Sequence, residues 1–311
     1  MKKRNRQRRF IPSECNHVYQ RSDGGYNIFY DDEDYLMCLM IMSVLARKHN
    51  VKLLEICFMV DHIHILLDAD SCEQMTAFIR DYSSTFVKEY NTSIGRKGRL
   101  FYKSFGSAPK QGGKKMRSVI VYIGNNPVEK GLCRYAEDYR WNFIGYMLPK
   151  GMRHQEVRAD RESRKLRRCF KRVKAAAKAG AYINYTQIYD MFSDLTDSER
   201  ASLADYIIMA YYPFDVDAVL GLYDGWQQVL DAMHSTAGSE YDLAEKWYSK
   251  SDVIYMKMVS YVRENLKIWP VRNILKLSFE QKSLLAADLK IKTGASDYEV
   301  NKFLHLHSVR T

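Results

Sequence analysis

The sequence predicts an α+β fold. A small ferredoxin-like antiparallel sheet with helices on one face comes first, and an all-α half follows. Three observations carry this. Strand-like and helix-like patterns interleave over the first half in the order strand, helix, strand, strand, helix, strand, helix. Residues 53–68, LLEICFMVDHIHILLD, form a long apolar run that turns near Val60-Asp61 as a hairpin. After residue 151 one helical pattern succeeds another, and no strand pattern longer than a few residues returns.

Each element has its own signal. Residues 14–21 (ECNHVYQR) alternate as a first strand, and Ser22-Asp23-Gly24-Gly25 is a turn. Residues 31–47 carry apolar side chains at helical spacing. A second helix covers 71–90, with Ser71 at the N-cap position and Met75, Phe78, Ile79 and Phe86 on one side. Residues 100–105 read as the fourth strand, and Gly112-Gly113 is a joint before the next helix. In that helix, 114–127, Met116, Val119, Ile120 and Ile123 form the buried face. Pro127 is expected to end it.

Two constellations carry chemistry. Side chains along a strand alternate, so His62 and His64 share one face while Ile63, Ile65 and Leu67 share the other. Two imidazoles about 7 Å apart along a strand can hold one divalent cation, or can be satisfied by ordinary hydrogen bonds. The sheet face presenting them is expected to be free. On the third helix a stripe of Lys115, Ser118, Tyr122 and Asn126 flanks the buried face. By itself Tyr122 is either a functional group or a boundary aromatic, and Asn126 either a ligand or a helix cap.

The charge balance points to a polyanion. The chain has 311 residues and a net charge of +11. Residues 1–10 supply six basic and no acidic side chains, and residues 153–178 supply eleven basic and three acidic. Lys2, Lys3 and Arg4 belong to the first group. In the second, Arg161, Arg164, Lys165, Arg168 and Arg172 form a stripe on a helix whose other side carries Leu166, Phe170, Val173 and Ala177 and which Gly180 ends. No run of about 18 apolar residues is present, so no membrane span is expected. The basic N-terminus lacks the apolar stretch of a secretory signal. Six scattered cysteines with no Cys-x-x-Cys imply reduced thiols and a cytoplasmic protein.

In the second half, Thr196-Asp-Ser-Glu199, Ser278-Phe-Glu-Gln281 and Ser296-Asp-Tyr-Glu299 are capping boxes. The last two start helices at about 279–291 and 297–305, joined by Thr293-Gly294-Ala295, with Ala286, Leu289, Val300, Phe303 and Leu304 between them. The pair over 279–305 is either a helix-turn-helix exposing Asp297, Asn301 and Lys302 to DNA, or an ordinary helical pair closing a bundle.

Five segments occur together and in order: His17-Val-Tyr-Gln-Arg21 before Phe29-Tyr-Asp-Asp-Glu-Asp-Tyr35, then Met59-Val-Asp-His-Ile-His64, Tyr122-Ile-Gly-Asn-Asn-Pro-Val128, and Tyr139-Arg-Trp141. Over roughly residues 12–147 the chain resembles the single-tyrosine HUH transposases, most closely the REP-associated tyrosine transposase branch. The family usually has Pro-Asn where this chain has Val60-Asp61, and it varies between the tyrosine and the asparagine. With the charge and composition shifts on either side, three domains are expected: a basic tail (1–11), an HUH domain (12–150), which the resemblance implies, and a helical domain (151–311). It implies that His62, His64 and Asn126 hold Mg²⁺ or Mn²⁺, and that Tyr122 attacks the phosphorus with Lys115 steadying its phenolate. In that family the product is a 5′-phosphotyrosine, which implies that single-stranded DNA next to a hairpin would be cut and rejoined. DNA contacts are expected from Lys2, Lys3, Arg4, Arg21, Arg161, Arg164, Lys165, Arg168, Arg172, Asn301 and Lys302. The protein would work in the nucleoid as a monomer or a homodimer. The alternative is a non-catalytic hairpin-binding protein or repressor.

Overall fold

The sheet is built from β1 (Cys15–Arg21), β2 (Lys52–Phe58), β3 (His62–Asp68) and β4 (Gly106–Lys110), in the order β2-β3-β1-β4. All neighbours are antiparallel. This is a computed structural model, and it describes residues 10–102, 105–149, 152, 162–235 and 251–306. Helices α1 (Asp32–Lys48), α2 (Cys72–Ile94) and α3 (Gly112–Glu129) are interleaved with the strands in the expected order. The Ser71 side chain caps α2 by accepting from the Gln74 N–H at 3.1 Å.

Two local expectations shift. The fourth strand lies at Gly106–Lys110, and Phe101 makes only an isolated bridge to Ser22. Leu100 and Phe101, whose apolar character suggested a strand, are instead buried in the core. β4 is an edge strand, which is why its Pro109 is tolerated. Gly106 faces Tyr19, and a Cβ there would lie 2.0 Å from the Tyr19 ring, so only glycine fits. Helix α3 also runs two residues past Pro127, whose missing N–H costs one bond in its last turn.

The period-two reading of β3 holds. Ile63, Ile65 and Leu67 pack with Val18 under α1 and α2, against side chains such as Leu39, Phe78 and Tyr82. The opposite face, expected to be free, is covered by α3. There Met116, Val119, Ile120 and Ile123 pack on Leu54, Cys57 and Leu66. The helix returns across the sheet because its apolar stripe needs a partner and that face supplies one.

A short α4 (Ile144–Met147) closes the first half, and the second contributes α5 (Arg164–Lys178), α6 (Tyr185–Phe192), α7 (Asp197–Ala210), α8 (Val216–Leu220), α9 (Trp226–Ser235), α10 (Val253–Glu264), α11 (Phe279–Thr293) and α12 (Asp297–Leu304). Helices α5, α6 and α7 extend the α1/α2 layer: Leu166, Val173, Ile188 and Leu203 share its core. Helix α9 covers α3, where Met233 passes so close to Gly124 that a Cβ would meet its sulfur at 2.8 Å. Helices α10 to α12 form a third cluster that takes in Tyr30 and Val60 of the first half. All three expected capping boxes form, at Thr196, Ser278 and Ser296. No helix among the described residues is long and apolar enough to cross a membrane.

The acidic start of α1 fastens the two halves through Asp31, Glu33 and Asp34, while Asp32 pairs within the first half. Asp31 meets Arg263 at 2.8 Å, Asp32 meets Arg140 at 3.4 Å, Glu33 meets Arg200 at 2.8 Å and Asp34 meets Arg272 at 3.0 Å. Four acids at a helix N-terminus suit its dipole. Three of them are buried, so each needs a cation brought from elsewhere in the chain.

Candidate active site

The site lies between β1, β3 and α3. Register places Tyr19 opposite His64 and Arg21 opposite His62, so His17, Tyr19 and Arg21 face the same way as the two histidines. The His62 and His64 ring centroids are 5.0 Å apart at 89°. Tyr122, on α3, sets its ring edge-on to His64 at 5.5 Å and to His17 at 5.8 Å. Asn126, one turn on, donates from Nδ2 to the Tyr122 carbonyl at 3.0 Å. The structure therefore brings His62, His64 and Tyr122 together and places Asn126 one turn along the helix from Tyr122. All four are buried, with Tyr122 only 6% exposed.

Second partners orient the imidazoles. His62 Nδ1 lies 2.6 Å from Asp61 Oδ1, and His64 Nδ1 lies 3.0 Å from His17 Nε2. Burial pushes His17 down to about 3, with Lys110 adding to it, and burial likewise holds His64 well below the usual histidine range, with His62 and His17 contributing. Neutral imidazoles are the form that binds a metal. Asp61 shows the opposite balance. Burial would raise its carboxyl, but Lys302 and His62 hold it well below the ordinary carboxylate range.

A cation fits this donor set. His64 Nε2 and Asn126 Oδ1 are buried atoms without a hydrogen-bond partner. A buried polar atom left so is costly, and imidazole nitrogens and amide oxygens are donors that suit Mg²⁺ or Mn²⁺. Among the described residues no group of three or more His, Cys, Asp or Glu side chains could hold a metal. Two histidines and an amide are a set of a different kind.

The basic residues separate. Arg21 is exposed at the site, its guanidinium 5.9 Å from the Tyr19 ring centroid. Lys115 is exposed and lies two turns before Tyr122, about 10 Å along the helix axis. It stands near Lys110, whose pKa is lowered by burial and by Lys115. Arg164, Lys165, Arg168 and Arg172 line a groove with Asp190, and that groove belongs to the layer on the other side of the sheet. Lys165 donates to Ser193, and Arg172 pairs with Asp190 at 2.8 Å. Lys2, Lys3, Arg4 and Arg161 lie outside the described residues, as does the domain boundary expected at 150/151.

One expectation is corrected outright. Lys302 does not face outward for DNA. It is 5% exposed, 2.7 Å from Asp61, with its ammonium 4.7 Å from the Tyr255 ring centroid. Helix α12 therefore docks on the first half and does not present that face as a recognition helix, although Asn301 stays half-buried. His17, Asp61 and Lys110 are the site residues that sequence reasoning missed. His17 and Lys110 depend on strand pairing. For His17 the alternation His17, Tyr19, Arg21 was a usable signal.

The sheet thus presents a histidine pair to a helix-borne tyrosine, with an asparagine one turn further along the same helix. Residues 17–126, from His17 to Asn126, match the model of the family described as IS200-like transposases, so this segment is transposase-like, as the sequence motifs implied. A solved structure of a REP-associated tyrosine transposase bound to a REP hairpin aligns with 47% of this chain and 86% of its own. The TM-score is 0.41 and the identity 15%, a likeness too distant to carry an argument. A search of curated proteins gives no match.

Proposed function

We propose that the protein is a DNA strand transferase that cuts and rejoins single-stranded DNA beside hairpins through Tyr122. The observation that carries this reading is the meeting of Tyr122 with His64 and Asn126, whose buried Nε2 and Oδ1 have no hydrogen-bond partner. His62, His64 and Asn126 would hold Mg²⁺ or Mn²⁺. When bound, the ion neutralises phosphate oxygens and aligns the phosphodiester.

The chain's own residues do the rest. Tyr122 Oη forms a bond to phosphorus as the P–O3′ bond breaks. The phenolic proton is lost and the departing 3′ oxygen gains one. The protein keeps the 5′ phosphate as a phosphotyrosine, and the reverse step passes it to another 3′-hydroxyl. Arg21, Lys110 and Lys115 border the site with positive charge that attracts the DNA backbone. The protein would act in the nucleoid, as a monomer or homodimer. A second reading, a non-catalytic hairpin binder, draws on the depth of Tyr122 at 6% exposure, since a nucleophile must reach its substrate. The two part on one test: only the transferase leaves a covalent protein–DNA adduct.

A further inference from the structure

The cation site has a support from the far end of the chain. Asp61 uses both carboxylate oxygens: Oδ1 lies 2.6 Å from His62 Nδ1 and Oδ2 lies 2.7 Å from Lys302 Nζ. Lys302 belongs to α12, 241 residues after Asp61 in sequence. We propose that the Asp61–Lys302 pair positions His62 for the cation, making the C-terminal helical cluster a working part of the site. The inference rests on the metal reading above.

The physical case has three parts. First, a carboxylate on one imidazole nitrogen fixes the ring's rotation and tautomer. With the proton on Nδ1, the ring's lone pair is on Nε2. Second, the Asp61 carboxylate is only 23% exposed, and a half-buried charge gains from an opposite one beside it. Lys302 supplies the opposite charge and holds the second oxygen, so the carboxylate cannot rotate away from His62. Asp252, whose Oδ2 is buried without a hydrogen-bond partner, and Lys130 are the other charges whose fields reach this cluster. Third, the segment bearing Asp61 is clamped to the cluster bearing Lys302. Val60 packs with Tyr255, Val259 and Phe303. The Tyr30 hydroxyl donates to the Phe303 carbonyl at 2.6 Å, and the Asn27 N–H donates to the Lys302 carbonyl at 3.3 Å. The Val60 carbonyl accepts from Ile28 and Phe29 at 2.7 and 3.2 Å, and the Asp61 carbonyl accepts from Ser22 at 2.9 Å. These contacts hold the segment bearing Asp61 against the one bearing Lys302.

The test is Mn²⁺ binding to the full chain, followed by the electron paramagnetic resonance signal of the free ion, beside thermal melts. Asp61→Ala is expected to weaken Mn²⁺ binding about 10–100-fold, the usual effect of removing a partner behind a ligand. Lys302→Met should weaken it too, because Asp61 is left unbalanced. In the double variant Asp61→Asn/Lys302→Met, the amide oxygen still accepts from His62 and no charge needs a partner, so affinity should return to near wild type. Asp61→Leu/Lys302→Met also lacks unpaired charge but offers no acceptor, and it should stay weak. If folded Lys302→Met binds Mn²⁺ as wild type does, Lys302 only docks α12 and the proposal is wrong. Should Lys302→Met fail to fold, the two double variants decide, and equal affinity of the Leu and Asn forms overturns it. A wild type that binds no Mn²⁺, or a His64→Ala variant that binds it undiminished, would instead sink the metal reading itself.

Discussion

Arg272 Nη1 lies 3.0 Å from Asp34 Oδ1, and neither side chain reaches solvent. The approach is ionic, without hydrogen-bond geometry at that nitrogen, while Arg272 Nη2 donates to Ser93 Oγ at 2.6 Å. The guanidinium is sandwiched by rings, 3.6 Å from the Tyr185 centroid and 4.7 Å from that of Tyr90. Breaking a buried pair from one side strands a charge, so Arg272→Met should cost about 3–5 kcal/mol in urea unfolding. Adding Asp34→Asn should recover more than half of that loss. A loss below about 1 kcal/mol would show that the pair does not hold the halves together.

The basic groove makes a graded prediction. Arg172 and Lys165 are already engaged by Asp190 and Ser193, while Arg164 and Arg168 are exposed. In fluorescence anisotropy with a labelled single-stranded hairpin, Arg164→Ala and Arg168→Ala should each lower the salt slope by about 0.7. Arg172→Ala and Lys165→Ala should lower it less. An unchanged slope in all four variants returns the groove to an ordinary solvated surface.

The elements legible in the sequence were those whose signals are local. The alternation around His62 and His64 set the face of β3, the stripe through Tyr122 and Asn126 set the face of α3, and three capping boxes marked helix starts that the structure contains. What escaped was non-local. β4 has the sequence GSAPK, which carries no strand pattern and exists because β1 offers an edge. The covering of the histidine face by α3 follows from tertiary packing. Lys302 read as a surface cation because nothing near it in sequence announces Asp61, and the same holds for Arg272 and Asp34.

A pH dependence follows from His305, which ends α12. Its Nε2–H donates to the Asn27 carbonyl at 2.8 Å and its ring stacks on Tyr26 at 4.4 Å. Burial pushes it down to about 3; the Asn27 contact raises it, while Arg96 and Lys282 lower it further. The unfolded chain takes up a proton near pH 6.5 and the folded one does not. Stability is therefore present above about pH 6.5 and is lost progressively as pH falls toward the folded value. At pH 5 the share of His305 is at most about 2 kcal/mol. His305→Asn, which keeps a polar group and tolerates the left-handed backbone there (φ 54), should shrink the stability difference between pH 7 and pH 5 by up to that amount. An unchanged difference assigns the acid sensitivity elsewhere.

The central claim is that Tyr122 becomes bonded to DNA. The direct measurement is a denaturing gel after incubation with Mn²⁺ and a single-stranded hairpin substrate labelled on the 3′ side of the cut, because the tyrosine keeps that side's 5′ phosphate. Wild type should give a band of protein joined to labelled DNA that survives boiling in detergent and is absent with excess EDTA. Tyr122→Phe removes one oxygen and little volume, so hairpin binding should persist while the adduct vanishes. A Tyr122→Phe protein that still forms the adduct, or a wild type that binds the hairpin and never joins to it with any divalent cation, would contradict the account.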